Sequence, residues 1–102
     1  MRTVRLSRSF YGELATMLRQ GLPKFGAGVV AEKRARVFDT IENYLVHFPK
    51  RRPDPVLGIC AAEVKMSPFV ILYDYDDSEL RVHLVIHRNA DRTLIDLSAI
   101  AW

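Results

Sequence analysis

Phe69-Val70-Ile71-Leu72-Tyr73-Asp74-Tyr75, then Asp76-Asp77-Ser78, then Leu80-Arg81-Val82-His83-Leu84-Val85-Ile86-His87, is the stretch whose reading decides the fold. Phe69 to Tyr75 is rich in β-branched and aromatic residues and opens apolar on both faces, as a central strand requires. Asp76-Asp77-Ser78 is a turn. Leu80 to His87 alternates, which predicts Val82, Leu84 and Ile86 on one face and Arg81, His83, Val85 and His87 on the other. Upstream, Leu57 to Lys65 reads as a strand of small residues, broken by Ser67-Pro68. The whole is a β-meander.

Further towards the N-terminus the period changes. Arg2 to Ser7 alternates, with Val4 and Leu6 on one face, and predicts a short strand. Ser7 or Ser9 can cap a helix, because a serine oxygen satisfies a free N–H of the first turn. Phe10, Leu14, Met17 and Leu18 then form one apolar stripe. Gly21 and Pro23 are expected to end that helix. Phe25-Gly26-Ala27-Gly28 is a turn, and a second helix runs to about His47 with Val30, Val37, Phe38, Ile41, Leu45 and Phe48 as its apolar positions. Pro49, Pro53 and Pro55 bracket a loop carrying Lys50-Arg51-Arg52. Strand, two helices, three strands predicts an α+β domain, a helical hairpin packed on a mainly antiparallel sheet. Residues 1–102 read as one domain, and the pattern assigns no structure to the tail 92–102.

Composition narrows the function classes. Hydrophobic residues make up 49% of the chain, enough to close a core and too many for a disordered segment. The formal net charge of +3 hides an asymmetry: residues 1–52 carry eleven basic and four acidic side chains, residues 53–102 four basic and eight acidic. No apolar run approaches the roughly 20 residues that span a bilayer. No apolar segment follows Met1-Arg2-Thr3-Val4-Arg5, so no signal peptide is expected. Cys60 is alone, which excludes an internal disulfide or a four-cysteine zinc site and suits a reducing cytoplasm.

Few residues suggest chemistry by themselves. His83 and His87 are four apart, but on a strand that is about 13 Å, too far to share an ion, so no metal site is expected. Cys60 lies among Ile59, Ala61 and Ala62, as a buried, inert thiol would. Gly26-Ala27-Gly28 is no dinucleotide fingerprint and no GK[ST] occurs, so no cofactor is expected. The acidic group Asp74, Asp76, Asp77 and Glu79 crowds a hairpin tip too short for a calcium loop, and reads as a solvated turn. The basic clusters are the stronger signal: Arg2, Arg5 and Arg8; Lys33, Arg34 and Arg36; Lys50, Arg51 and Arg52; Arg88 and Arg92. Each can serve as a plain solvated face or meet phosphates or an acidic partner. The proline-stiffened loop Lys50-Arg51-Arg52 is favoured, since rigidity lowers the entropic cost of docking.

The order of elements, with four local strings, resembles the RelE/ParE toxins of bacterial type II toxin–antitoxin pairs, over about Val4 to Arg92. The strings are Val4-Arg5-Leu6-Ser7; Ile41…Leu45…His47-Phe48-Pro49; Phe69 to Asp77; and Val85-Ile86-His87-Arg88-Asn89-Ala90-Asp91. The resemblance implies one of two activities. The RelE branch cuts ribosome-bound mRNA, with cations holding phosphate and a tyrosine, histidine or glutamate moving protons. The ParE branch blocks DNA gyrase by binding. In this chain Val70 replaces the arginine of the third strand, and small residues around Ala61 replace the preceding lysines. The ParE-like reading is therefore favoured: a gyrase-inhibiting, plasmid-stabilising toxin. For a nuclease, Lys65, Arg81, His87 and Arg88 would have to rebuild the site. Target-binding candidates are Lys50, Arg51, Arg52, His87, Arg88 and Arg92.

Either branch implies a cognate antitoxin in a hetero-complex, and a third possibility is a non-toxic member that only binds partners. The antitoxin-binding candidates are Leu14, Met17, Leu18, Lys33, Arg34 and Arg36, because an acidic partner helix would suit an apolar stripe beside a basic face.

Overall fold

A computed structural model describes residues 2–102. Strands β1 (Thr3–Leu6), β2 (Cys60–Glu63), β3 (Phe69–Tyr75) and β4 (Glu79–His87) form one sheet in the order β1-β4-β3-β2. The β2–β3 and β3–β4 pairs are antiparallel, as a meander requires, while β1 lies parallel to β4. The helical segment α1 (Arg8–Asp39) packs across one face. Among the described residues no helix is long and apolar enough to cross a membrane.

α1 is a hairpin. Gly26 has φ 81° and ψ 166°, a backbone state essentially reserved for glycine, and it breaks the helix into two arms. The rings of Phe10 and Phe38 lie 5.9 Å apart edge to face, whereas in one straight helix they would be about 42 Å apart. The expected end at Gly21 and Pro23 is not where the arm stops: Pro23 sits inside the helix, and the break falls at Gly26. The second arm continues as a wider π-helical segment (Thr40–Leu45), with the Val46 N–H donating to the Ile41 carbonyl. Ser7 is the cap of the first arm; its Oγ accepts from the Phe10 N–H at 2.8 Å.

The strict alternation expected along β4 is interrupted. Leu72 pairs with Leu84 but Tyr73 pairs with Val82, so His83 is an extra residue, a β-bulge. A one-residue insertion in a period-2 element reverses the faces beyond it. Leu80, Val82 and Val85 therefore pack with the hairpin, while Leu84 and Ile86 join Val70 and Leu72 on the other face. β2 is shorter than expected, because Pro53 to Ile59 forms a turn closed by the Asp54 carboxylate on the Val56 and Leu57 N–H groups.

The second face of the sheet is also covered. Leu57, Ile59, Ala90 and Ile95 pack over Val70, Leu72 and Ile86. Residues 92–102 supply part of that layer through two single 3-10 turns, Arg92–Leu94 and Leu97–Ala99, capped by the carboxylates of Asp91 and Asp96. The end of the segment is tied to α1: the Ser9 N–H donates to the Ala101 carbonyl and the Ala101 N–H to Ser9 Oγ. The Trp102 ring lies between the Arg5 guanidinium, 5.0 Å from its centroid, and the His83 ring at 4.8 Å. The tail thus lies against the sheet.

Candidate functional site

The four cations and proton carriers of the nuclease reading do not meet. Arg81 is spent within β3 and β4: Nε donates to Asp74 at 2.8 Å, and Nη1 to Asp76 at 2.9 Å and Glu79 at 3.2 Å. The turn expected only to be solvated is in fact an acidic cage around this guanidinium. The hydrogen bonds that Arg81 donates to Asp76, then to Asp74 and Glu79, push its pKa still higher. His87 and Arg88 lie at the other end of β4, about 20 Å of strand away. The His87 ring accepts from the Asn89 N–H at 3.1 Å. Lys65 is exposed beyond β2, where it lines a mixed-charge cleft of about 230 Å³ together with Arg36, Tyr44, Arg51 and Glu63.

His83 and Val70 complete that face. His83 Nε2 lies 3.3 Å from Asp74 Oδ1, but out of line for a hydrogen bond, and Asp74 already serves Arg81. Val70 is 3% exposed, within the apolar cluster that the tail covers. Cys60 is half-buried with its Sγ 3.8 Å from the Arg51 carbonyl, and burial pushes its thiol pKa up, away from the reactive thiolate.

The proline-bounded loop is better formed as a surface. Tyr73 Oη, buried in the core, donates to the Pro49 carbonyl at 2.6 Å and fixes the loop's start. Arg51 donates to the Phe48 and Lys50 carbonyls, and its guanidinium lies 5.3 Å from the Tyr44 ring centroid. Lys50 and Arg52 are exposed. Arg92 belongs to the scaffold instead: it bonds the Arg88 and Ala90 carbonyls and reaches Asp54 at 3.4 Å. The sequence reading missed the aromatic part of this surface. Phe48, expected to be an apolar helix position, is 62% exposed and stands 5.6 Å from the half-exposed Tyr44 ring. The clue was its place just before Pro49, where the helix must already have ended.

A second surface lies where the hairpin arms open. An apolar groove of about 380 Å³ is lined by Met17, Leu18, Phe25, Val29, Val30 and Phe69, with Lys24 and Lys33 at its rim. Of the expected partner-binding stripe, Met17 and Leu18 reach the groove, while Leu14 is buried in the core. Lys33 Nζ donates to the Met66 carbonyl at 2.9 Å. Arg34 stacks on Phe38 and Arg36 pairs with Glu32.

Most of this fold is found in a solved structure. The chain is similar to a structure described as the chromosomal ParDE TA system from P. aeruginosa, with a TM-score of 0.73 at 12% identity, over 85% of this chain and 96% of that one. The fold is ParE/RelE-like. No protein-family model and no curated protein matches the sequence.

Proposed function

We propose that this chain is the toxin component of a bacterial type II toxin–antitoxin pair, that it is ParE-like, and that it inhibits DNA gyrase by binding. The ParE/RelE-like fold supports the toxin reading, and one observation carries the choice of branch. Val70, where the nuclease branch would need a phosphate-holding arginine, is a buried valine in a sealed apolar cluster. Charge placed there would be desolvated at a cost of several kcal/mol, and the cations that do come together, Arg36, Arg51 and Lys65, share their cleft with Asp39 and Glu63. Binding needs only a surface, and the Tyr44–Phe48 pair beside Lys50, Arg51 and Arg52 has the aromatic-plus-arginine make-up of binding hot spots. The cognate antitoxin covers the groove of Met17, Leu18 and Phe25 with an amphipathic helix, its acidic residues meeting Lys24 and Lys33.

The test is supercoiling by purified gyrase. Micromolar protein blocks it, and a Phe48→Ala, Arg52→Glu double variant, folded by circular dichroism, loses the block. Normal supercoiling with folded wild-type protein would overturn the gyrase assignment. Transcript cleavage in expressing cells, abolished by His87→Ala, would replace it with the nuclease reading. Unimpaired growth on strong expression would replace it with an interaction-only role.

A further inference from the structure

Beyond Val82, one edge of β4 pairs with no strand among the described residues. β1 pairs with Glu79 to Val82 and then the chain leaves the sheet at Ser7 to enter α1. The Arg88 N–H donates to the Pro68 carbonyl, so Arg88, Ile86 and Leu84 turn their main-chain groups towards β3. By the alternation of an antiparallel ladder, the Val85 N–H and carbonyl and the His87 N–H turn the other way, into the lane that β1 vacates, while the His87 carbonyl accepts from the Ala90 N–H at 2.9 Å. Among the described residues no strand occupies that lane.

The lane opens on a cleft of about 790 Å³ between the first arm of α1 and the tail. Leu84 and Ile86 line its floor, and Leu94, 82% exposed, stands on its wall. Gly12 faces it from α1, and a Cβ there would meet nothing within 4 Å. Glycine costs a helix interior about 1 kcal/mol, and no internal contact explains it here. The titratable residues at the cleft are Glu13, Asp91 and Asp96, against His87 alone. Hydroxyl and amide bonds from Thr93 and from Ser98 hold the Asp91 and Asp96 carboxyls below the usual range, so both stay charged at neutral pH.

We infer that this cleft receives an extended segment of a partner protein, added to β4 at Val85 and His87, in which apolar residues alternate with lysine or arginine. Main-chain bonds to an exposed edge give affinity, and alternate side chains give selectivity. The apolar side chains meet Leu84, Ile86 and Leu94, and the basic ones meet Glu13, Asp91 and Asp96. This surface adjoins the groove rimmed by Lys24 and Lys33, sharing Met17 and His87 with it, but is opposite to it in charge, and the inference requires neither gyrase nor an antitoxin.

The experiment uses the full chain and two blocked octapeptides, one alternating lysine with valine and one alternating glutamate with valine. The lysine peptide is expected to bind and to slow hydrogen exchange at the Val85 and His87 amides by at least about tenfold, with the glutamate peptide at least about tenfold weaker. Gly12→Trp fills the cleft without loss of helix propensity and should abolish binding. Glu13→Lys should narrow the gap between the peptides. Four results would overturn the inference: no binding of the lysine peptide; equal or tighter binding of the glutamate peptide; unaltered binding by folded Gly12→Trp; or protection of both amides in the free chain. If that protection rises with protein concentration, a second copy fills the lane instead.

Discussion

The Ser7 hydroxyl donates to the carbonyl of His83 at 2.6 Å while accepting from the N–H of Phe10 at 2.8 Å. One buried side chain thus caps α1 and satisfies the carbonyl that the β4 bulge takes out of the ladder. Ser7 sits at 0% exposure, so water cannot replace it. Ser7→Ala leaves the Phe10 donor and the His83 acceptor unpaired and is expected to cost about 2–4 kcal/mol. Urea unfolding measures it. A loss within 0.5 kcal/mol, on the order of an exposed substitution, would show that the two bonds do not couple helix and bulge.

The same accounting applies to Tyr73, whose buried hydroxyl anchors the Pro49 carbonyl at the start of the basic loop. Tyr73→Phe should lose about 1–2 kcal/mol and, in the gyrase assay, weaken inhibition by freeing the loop. Burial also pushes the Tyr73 phenol above its ordinary value. A phenol kept neutral by folding stabilises fully below the unfolded pKa, about 10, and loses that contribution as pH rises beyond it. Thermal melts of wild type should therefore fall above about pH 10 more steeply than those of Tyr73→Phe.

Three glycines of α1 should respond differently to alanine. Gly26 adopts a positive φ that a Cβ strains, so Gly26→Ala is expected to cost about 1–3 kcal/mol. Gly12 and Gly28 have open space around them, and alanine at either should be neutral or gain up to about 1 kcal/mol. Equal effects at all three positions would contradict the break at Gly26.

Acid stability should follow Asp76. The Arg81 guanidinium, with hydrogen bonds from Ser78 and Glu79, holds its carboxyl well below the usual carboxylate range. A carboxyl lowered by folding stabilises above its unfolded pKa, about 3.9, and that contribution is lost as pH falls through it towards the folded value. The urea midpoint should decline below about pH 4. In Asp76→Asn the midpoint starts lower at neutral pH and declines less. Identical profiles would mean that Arg81 is held by Asp74 and Glu79 alone.

Periodicity carried much of the architecture. Apolar density marked β3 as central, and the stripes of Phe10 and Val37 marked the hairpin. Three features were hidden, each for a physical reason. The bulge at His83 leaves the pattern Val82, Leu84, Ile86 looking regular, because the break lies in pairing to β3 and not in residue type. The layer over Val70 comes from Leu57, Ile59, Ala90 and Ile95, scattered through segments with no period to read. The cage around Arg81 depends on which side chains meet across the β3–β4 turn. For that reason Arg81 looked like a free cation, as did Arg92 until its bonds to Asp54 and the Arg88 and Ala90 carbonyls were seen. At the surfaces, composition pointed to the basic loop, whereas the exposure of Phe48 and the empty lane beside Val85 follow only from where the helix and β1 end.

The parallel pairing of β1 with β4, reinforced by Ser9 and Ala101, joins residues separated by most of the chain. Contacts of such long sequence separation form late, after loop closure has been achieved, and slow the search for the native state. On the ribosome, β1 emerges first and must wait for β4, so the sheet cannot be completed until nearly all of these residues have been synthesised. The hairpin can form early. Ala90 and Ile95, which help to seal Val70, follow β4, and a nascent chain therefore passes through a stage in which that apolar face is open and in need of protection.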